Sequence, residues 1–508
     1  MNKKLLAVLL TLSVAAACVS CSAINNSDAS SAGETAPSGQ AGSAAARSGP
    51  PDDEFGLAYQ KDMPLNPYKN TGKLNLQLCT LVYEGLFRED SSFNVSPLLC
   101  ASYTASENTW TINLKPGVKF HGGSVLTSSD VKYSLDLARR SPAYAERLKN
   151  ISSVKADGDQ TVLISLRKPD GGLGAKLCVP VIKEGEDGDI PDGTGRYTVK
   201  NKPNGEMVLS AFAGWNGGKT LPVGEIRLVP VTKADMLVYG FETWDIDAVA
   251  ESKISSVAIT YRGDAESHTY PTSQMIYLGV NAGRAPLSDP AVRCALSKAI
   301  GRSSLAKQEF SSLLDPTDIP INPHAQNGAI NEAAVDQDFQ GASALLESGK
   351  ADQKINLEIL CSSENRYMRD IAEAVSQSFN SIGVETHINE RSFDEYKALV
   401  ASRNYDIYVG RVLLSPGFSL DAFLTPGGAL STPGYNSGAL KNAYDAYQAA
   451  TADERTGLAQ SFYNMFRREY PFIPVGFVRD ILLTCPSLAS GIEPSEQDLF
   501  YNLENWVR

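Results

Sequence analysis

Histidine is scarce in this chain of 508 residues. His121, His268, His324 and His387 are scattered, and none falls in an H-E-x-x-H pattern. No G-x-S-x-G occurs either, so the metalloprotease and nucleophile-elbow constellations are missing. Ser304 to Lys307 matches S-x-x-K, but the S-D-N and K-T-G that would complete that chemistry are absent. The chain therefore reads as a binding protein rather than an enzyme, with no cofactor and no metal. Basic residues are outnumbered, 46 Lys and Arg against 58 Asp and Glu, for a net charge of −12. A nucleic-acid partner would need a basic face, so that class is excluded as well. Long apolar runs are also wanting. The run Leu5 to Ala17 falls short of the ~20 residues that span a bilayer.

That run follows Lys3 and Lys4 and ends in Ala15-Ala16-Ala17-Cys18, which reads as a secretory leader closing on a lipobox. Residues 1–21 are accordingly assigned to the leader and lipobox. Cys18 is expected to carry the lipid, with Cys21 as the alternative. A redox or zinc reading of Cys18-Val-Ser-Cys21 would need a folded context, and none surrounds it. Residues 22–51, rich in Ser, Ala and Gly, cannot bury a core and predict a flexible tether. The expected location is extracytoplasmic, held to the membrane by lipid. The remaining cysteines, Cys79, Cys100, Cys178, Cys294, Cys361 and Cys485, show no metal-site spacing. Such a location permits disulfides, but buried free thiols are the default expectation.

The body is long enough for more than one core, since single cores stop growing near roughly 250–300 residues. Trp110, Ile112 and Leu114 alternate with polar neighbours, the period-two pattern of a half-buried strand. Lys115-Pro116-Gly117 and His121-Gly122-Gly123 are turns. Thr127 and Asp130 predict a capping box for a helix buried through Val131, Leu135 and Ala138. Further on, Asp289-Pro290 predicts a helix start with Asp as N-cap and Pro at its first position. Leu357–Leu360, Arg366–Ile382 and Val384–Ile388 predict a strand–helix–strand unit closed by Gly383, hence a partly parallel sheet. Thr451 and Glu454 predict another capping box.

The run from Trp110 through K-P-G-V-K-F-H-G-G and L-T-S-S-D to V-K-Y-S-L resembles the signature of the family 5 extracellular solute-binding proteins. These include the dipeptide- and oligopeptide-binding lipoproteins of ABC importers. Tyr83 to Phe87, Asp192 to Tyr197 and Asp289 to Arg302 resemble further patterns of the family, so the likeness spans roughly Phe55 to Arg508. It implies an α/β, two-lobed periplasmic-binding-protein-like fold, type II and cluster C-like, with an extra subdomain in the first lobe. The implied division is 52–78, 188–275 and 475–508 for lobe I, 79–187 for the subdomain and 276–474 for lobe II. Hinges are implied near 270–280 and 470–480.

The implied partner is an ABC permease, and the implied ligand a peptide or related small solute held by a monomer. Peptide-binding members usually carry an aspartate for the peptide ammonium after the strand at 406–409. Here Gly410 to Phe418 has none. Asp421, the next carboxylate, is read as too far along. Arg411 is the candidate clamp for a carboxylate or phosphate, set against a purely solvent-facing or ion-paired role. Tyr59, Trp244, Tyr270, Tyr277 and Phe418 are candidate aromatic contacts, each set against plain packing. A metal chelate of the nickel or haem type, or an oligosaccharide, is the alternative ligand.

Overall fold

The computed structural model describes residues 55–252, 254, 265–325, 335–348, 354–486, 488 and 490–507. The expectations for the leader, for Cys18 and Cys21 and for the tether at 22–51 lie outside the described residues.

The sequence signals translate into local structure closely. The helix Ser128–Ala138 opens with the Thr127–Asp130 capping box, in which the Asp130 carboxylate accepts from the Thr127 N–H at 2.8 Å. Asp289 caps the helix Pro290–Ala299 by accepting from the Ala291 N–H. Thr451 and Glu454 form the box that starts Ala452–Glu469. The helix Arg366–Asn380 buries Ile371, Val375 and Phe379, and Gly383 follows it at φ +81°, a conformation that only glycine adopts without cost. The first helix of the described residues is short. It spans Lys73–Val82, and Tyr83 is extended, because Tyr83 to Phe87 turns to seat Gly85 against the Val179 backbone.

One mixed sheet of eleven strands runs through both lobes among the described residues. On the second-lobe side Glu385–Arg391, Asn356–Ser362 and Ile407–Leu413 lie side by side and parallel. On the first-lobe side Gly56–Gln60 pairs in parallel with Glu225–Val231 and Ala248–Glu251. Two long antiparallel strands, Glu266–Val280 and Phe472–Thr484, join the halves. A separate antiparallel sheet of four strands, built on Thr109–Leu114, packs under the helix Ser128–Ala138 in the first-lobe subdomain.

The long strands change allegiance along their length. Tyr270 and Leu482 pack in the first-lobe core, whereas Met275 to Val280 and Phe472 to Val478 pack in the second. Between them the pairing breaks, from Pro271 to Met275. Backbone groups freed by such a break need other partners. The Ser273 N–H donates to Glu496 Oε2 at 2.9 Å, the Thr272 carbonyl accepts from Asn322 Nδ2 at 2.9 Å, and the Ser273 carbonyl accepts from the Leu414 N–H at 3.1 Å.

Within the second lobe, two cross-strand pairs explain two glycines. Tyr277 lies opposite Gly410 and Gly279 opposite Tyr408. A Cβ on Gly279 would meet the Tyr408 ring at 2.0 Å, and one on Gly410 the Tyr277 ring at 2.6 Å. Each ring lies over a glycine, and the two hydroxyls meet at 2.9 Å. Cys79, Cys100, Cys178, Cys294, Cys361 and Cys485 are free thiols.

Candidate functional site at the lobe junction

Among the described residues the lobes meet at several points. At the rim, Lys168 Nζ lies 3.2 Å from Asp421 Oδ1, and the Gly171 N–H donates to the Gln448 carbonyl at 2.9 Å. A polar cavity of about 20 Å³, roughly the room one water needs, lies there between Arg147, Lys176, Ser419 and Gln448. Asp421 is thus an ion-pair partner across the junction. Burial works against its charge, but Lys168, Lys149 and Lys176 more than offset this and hold the carboxyl below its usual value.

Deeper in, Phe93 at the tip of the hairpin Phe87–Glu89 and Val95–Pro97 crosses from the first lobe. It packs edge-on against Phe418 at 5.0 Å, and Phe418 in turn meets Phe477 at 5.7 Å. Arg411 Nη1 donates to the Ile254 carbonyl at 3.3 Å, so the half-buried guanidinium reaches out of its own strand.

Beside the break in the long strands, on the first-lobe side, carboxylates gather. Asp480 lies opposite Tyr270. Its Oδ2 is 3.6 Å from Lys73 Nζ, while Oδ1 is buried without a hydrogen-bond partner among the described residues. Glu496 holds the Ser273 backbone. Glu89 ends the hairpin strand, is 6% exposed, and accepts from Gln497 Nε2 at 3.2 Å. Burial raises the Glu496 carboxyl, and Asp480 adds to the rise. Burial and then the neighbouring Glu496 push Glu89 up to about 7. Tyr270 is raised as well, by burial and by both Asp480 and Glu496.

The candidate residues therefore divide. Tyr270 stands against the carboxylates, and Arg411 and Phe418 lie at the lobe junction. Tyr277 is 2% exposed and belongs to the second-lobe core, in edge contact with Tyr408, Phe423 and Phe472. Tyr59 packs on the first-lobe core. Trp244 has φ +58° and packs on Phe241 at 5.3 Å. Trp215 and His121 are structural: Trp215 Nε1 donates to Glu84 at 2.9 Å, and the His121 ring bonds the Gly195 carbonyl at 3.1 Å. The carboxylates at 89, 480 and 496 carry no motif, and sequence reading passes over them. Among the described residues no group of three His, Cys, Asp or Glu side chains is placed to hold a metal ion, and no helix is long and apolar enough to cross a membrane.

Solved structures with this architecture are bacterial binding proteins. A nickel ABC transporter protein of Bacillus halodurans superposes with a TM-score of 0.74 at 18% identity, covering 88% of this chain and 98% of that one. The periplasmic murein tripeptide binding protein MppA, in its unliganded open form, gives 0.74 at 17% identity, covering 87% and 94%. At such identities the likeness establishes the fold, two-lobed and α/β. In sequence, the glutathione-binding protein GsiB of Salmonella typhimurium is 26% identical over 343 residues, 64% of this chain and 66% of that protein. GsiB of Escherichia coli K12 is 29% identical over 281 residues, 51% and 54%. The chain spans about half to two thirds of the length of these curated relatives. The family model for bacterial extracellular solute-binding proteins, family 5 middle, matches residues 94–430, and with the two-lobed fold this places the chain in that family of binding proteins.

Proposed function

We propose that this protein is the extracytoplasmic receptor of an ABC importer, capturing a peptide or related small organic solute between its lobes. The observation that carries the reading is the pair of long strands with a break in their pairing at 271–275, which gives two cores a common hinge. Closure about such a hinge buries a ligand in preorganised contacts. Lobe I is taken as 52–78, 188–275 and 475–508, the subdomain as 79–187 and lobe II as 276–474. Cys18 is proposed as the lipid-bearing residue, residues 22–51 as the tether, and the protein as a monomer that meets a membrane permease. Tyr270, Arg411 and Phe418 are the proposed ligand contacts, with Tyr59, Trp244 and Tyr277 supporting them through packing.

The test is native mass spectrometry of the purified chain without residues 1–21, followed by denaturation and identification of what is released. A retained peptide mixture supports peptide uptake. A single metal chelate or oligosaccharide replaces peptide as the ligand. Turnover of the released species in place of simple retention would refute the receptor reading.

A further inference from the structure

The polar cavity at the rim has walls from both lobes. Arg147, Lys168 and Lys176 line one side, among Leu148, Leu166 and Leu173 of the first-lobe core. Ser415, Ser419 and Gln448 line the other, among Leu420 and Tyr447 of the second-lobe core. A guest in this cavity therefore touches both lobes.

The acceptors around the cavity are already engaged. Asp170 Oδ2 accepts from Lys176 Nζ at 2.5 Å and from Asn150 Nδ2 at 3.4 Å, and its Oδ1 accepts from the Gly172 N–H at 3.1 Å. Both oxygens of Asp421 accept from Lys168 Nζ, at 3.2 and 3.4 Å. Glu146 pairs with Lys149 at 2.5 Å.

The donors are left over. Lys176 is 9% exposed and its ammonium has three N–H groups, yet Asp170 is its one hydrogen-bond partner among the described residues. Gln448 is 6% exposed, and its Nε2 has no partner among the described residues, an arrangement that a folded protein normally avoids. Charge leans the same way. Lys149, Lys168 and Lys176 are matched by Glu146, Asp421 and Asp170, and Arg147 remains. Its Nη1 donates to two neutral groups, the Cys178 carbonyl at 3.0 Å and Gln497 Oε1 at 3.2 Å. Glu89, which also feels Arg147, is pushed up to about 7 and is only partly charged near neutral pH. A water here would have to donate as well as accept, and the acceptors are filled. An anion only accepts. The volume of about 20 Å³ admits a guest of one heavy atom and excludes sulfate or phosphate.

We propose that the rim cavity binds a small monovalent anion of the halide class, held between the Lys176 ammonium and the Gln448 side-chain amide, so that the ion bridges the lobes. The site itself stands on the two-lobed fold. Its consequence, that chloride slows the escape of a captured solute, rests on the receptor reading.

The experiment follows the nuclear magnetic resonance line width of chloride as the purified protein is added, with bromide and sulfate as competitors at equal ionic strength. Exchange with a protein site broadens the line. The native protein is expected to broaden it, bromide to reverse the broadening and sulfate to leave it. Gln448→Glu, near-isosteric and negatively charged, and Gln448→Leu, which removes the donor, are each expected to lose the broadening. Thermal unfolding reports whether each variant has folded. No broadening by the native protein, or broadening unchanged in both variants, would overturn the site. Broadening that sulfate reverses as well as bromide marks surface attraction alone and overturns it too. Release of a retained solute is then timed in chloride and in gluconate. Chloride is expected to slow release at least about threefold in the native protein and not in Gln448→Glu. Equal rates would remove the bridging role. If no solute is retained, the receptor reading fails, while the line width still decides the anion site.

Discussion

Two buried polar clusters in this molecule are built on opposite principles. In the second lobe Asp318 is fully buried and completely answered. Arg467 grips it with two bonds, at 2.7 and 3.0 Å, Tyr470 donates at 2.9 Å and the Val335 N–H at 3.1 Å. Beside it Arg302, also fully buried, directs its guanidinium to the carbonyls of Ser297, Val335 and Pro474 and to the Ser297 hydroxyl. Burial opposes the charge of Asp318, but Arg467 and then Arg302 more than offset it, and its carboxyl lies below the usual value. Beside the strand break Glu89 and Glu496 are raised, because burial and like charge outweigh Arg147 and Gln497 at the first and Ser273 and Lys73 at the second. A charge matched within the chain serves the fold, and one left unmatched is available to something else.

Four measurements bear on that contrast. The largest effect belongs to the matched cluster. Asp318→Asn leaves Arg467 and Arg302 without their carboxylate and is expected to cost about 3–5 kcal/mol in urea unfolding. A loss below ~1 kcal/mol would mean that the cluster is ornamental to stability. Next comes Glu89→Gln. The folded Glu89 carboxyl titrates at about 7, above the ordinary value of 4.5. Its protonated form is thus favoured by folding, and the stability it lends is whole below pH 4.5 and fades as pH rises through 7. The native protein is expected to lose ~3 kcal/mol between pH 4.5 and 8 that Glu89→Gln keeps. Identical pH profiles for the two proteins would erase the distinction between the clusters.

Arg411→Ala is expected to weaken an anionic ligand by about tenfold or more, since a planar guanidinium clamps carboxylates in pairs of bonds. Unchanged affinity would leave Arg411 as a strut to Ile254. The smallest effect is that of the rim pair. Asp421→Asn breaks a partly exposed bridge with Lys168 and is expected to shift ligand affinity by ~1 kcal/mol at most, diminishing with salt. A larger shift would give the rim the role assigned here to the hinge.

Much of the fold was legible because its cues are local. Thr127 with Asp130, Asp289 with Pro290, Thr451 with Glu454 and Gly383 each fix one helix end within a few residues. The break at Pro271 to Met275 fell within an expected hinge range, but its mechanism did not, since Glu496 and Asn322 must come from far along the chain. The site was mostly illegible for the same reason. Glu89, Asp480 and Glu496 span some four hundred positions, and nothing about a lone carboxylate in sequence reveals which charges it will face. Tyr277 was ambiguous in sequence because a tyrosine on such a strand points to either side of a sheet, and only Gly410 across the ladder shows which.

The shared strands bear on timing. Two neighbouring ribbons of backbone resist sliding but bend easily, so under the proposed hinge, opening would be a swing about a line through residues 271–275. Points on an axle hardly travel, while points on the circumference travel furthest. Under that hinge, Asp480 and Glu496, beside the break, would keep their arrangement, whereas Lys168 and Asp421 would part company.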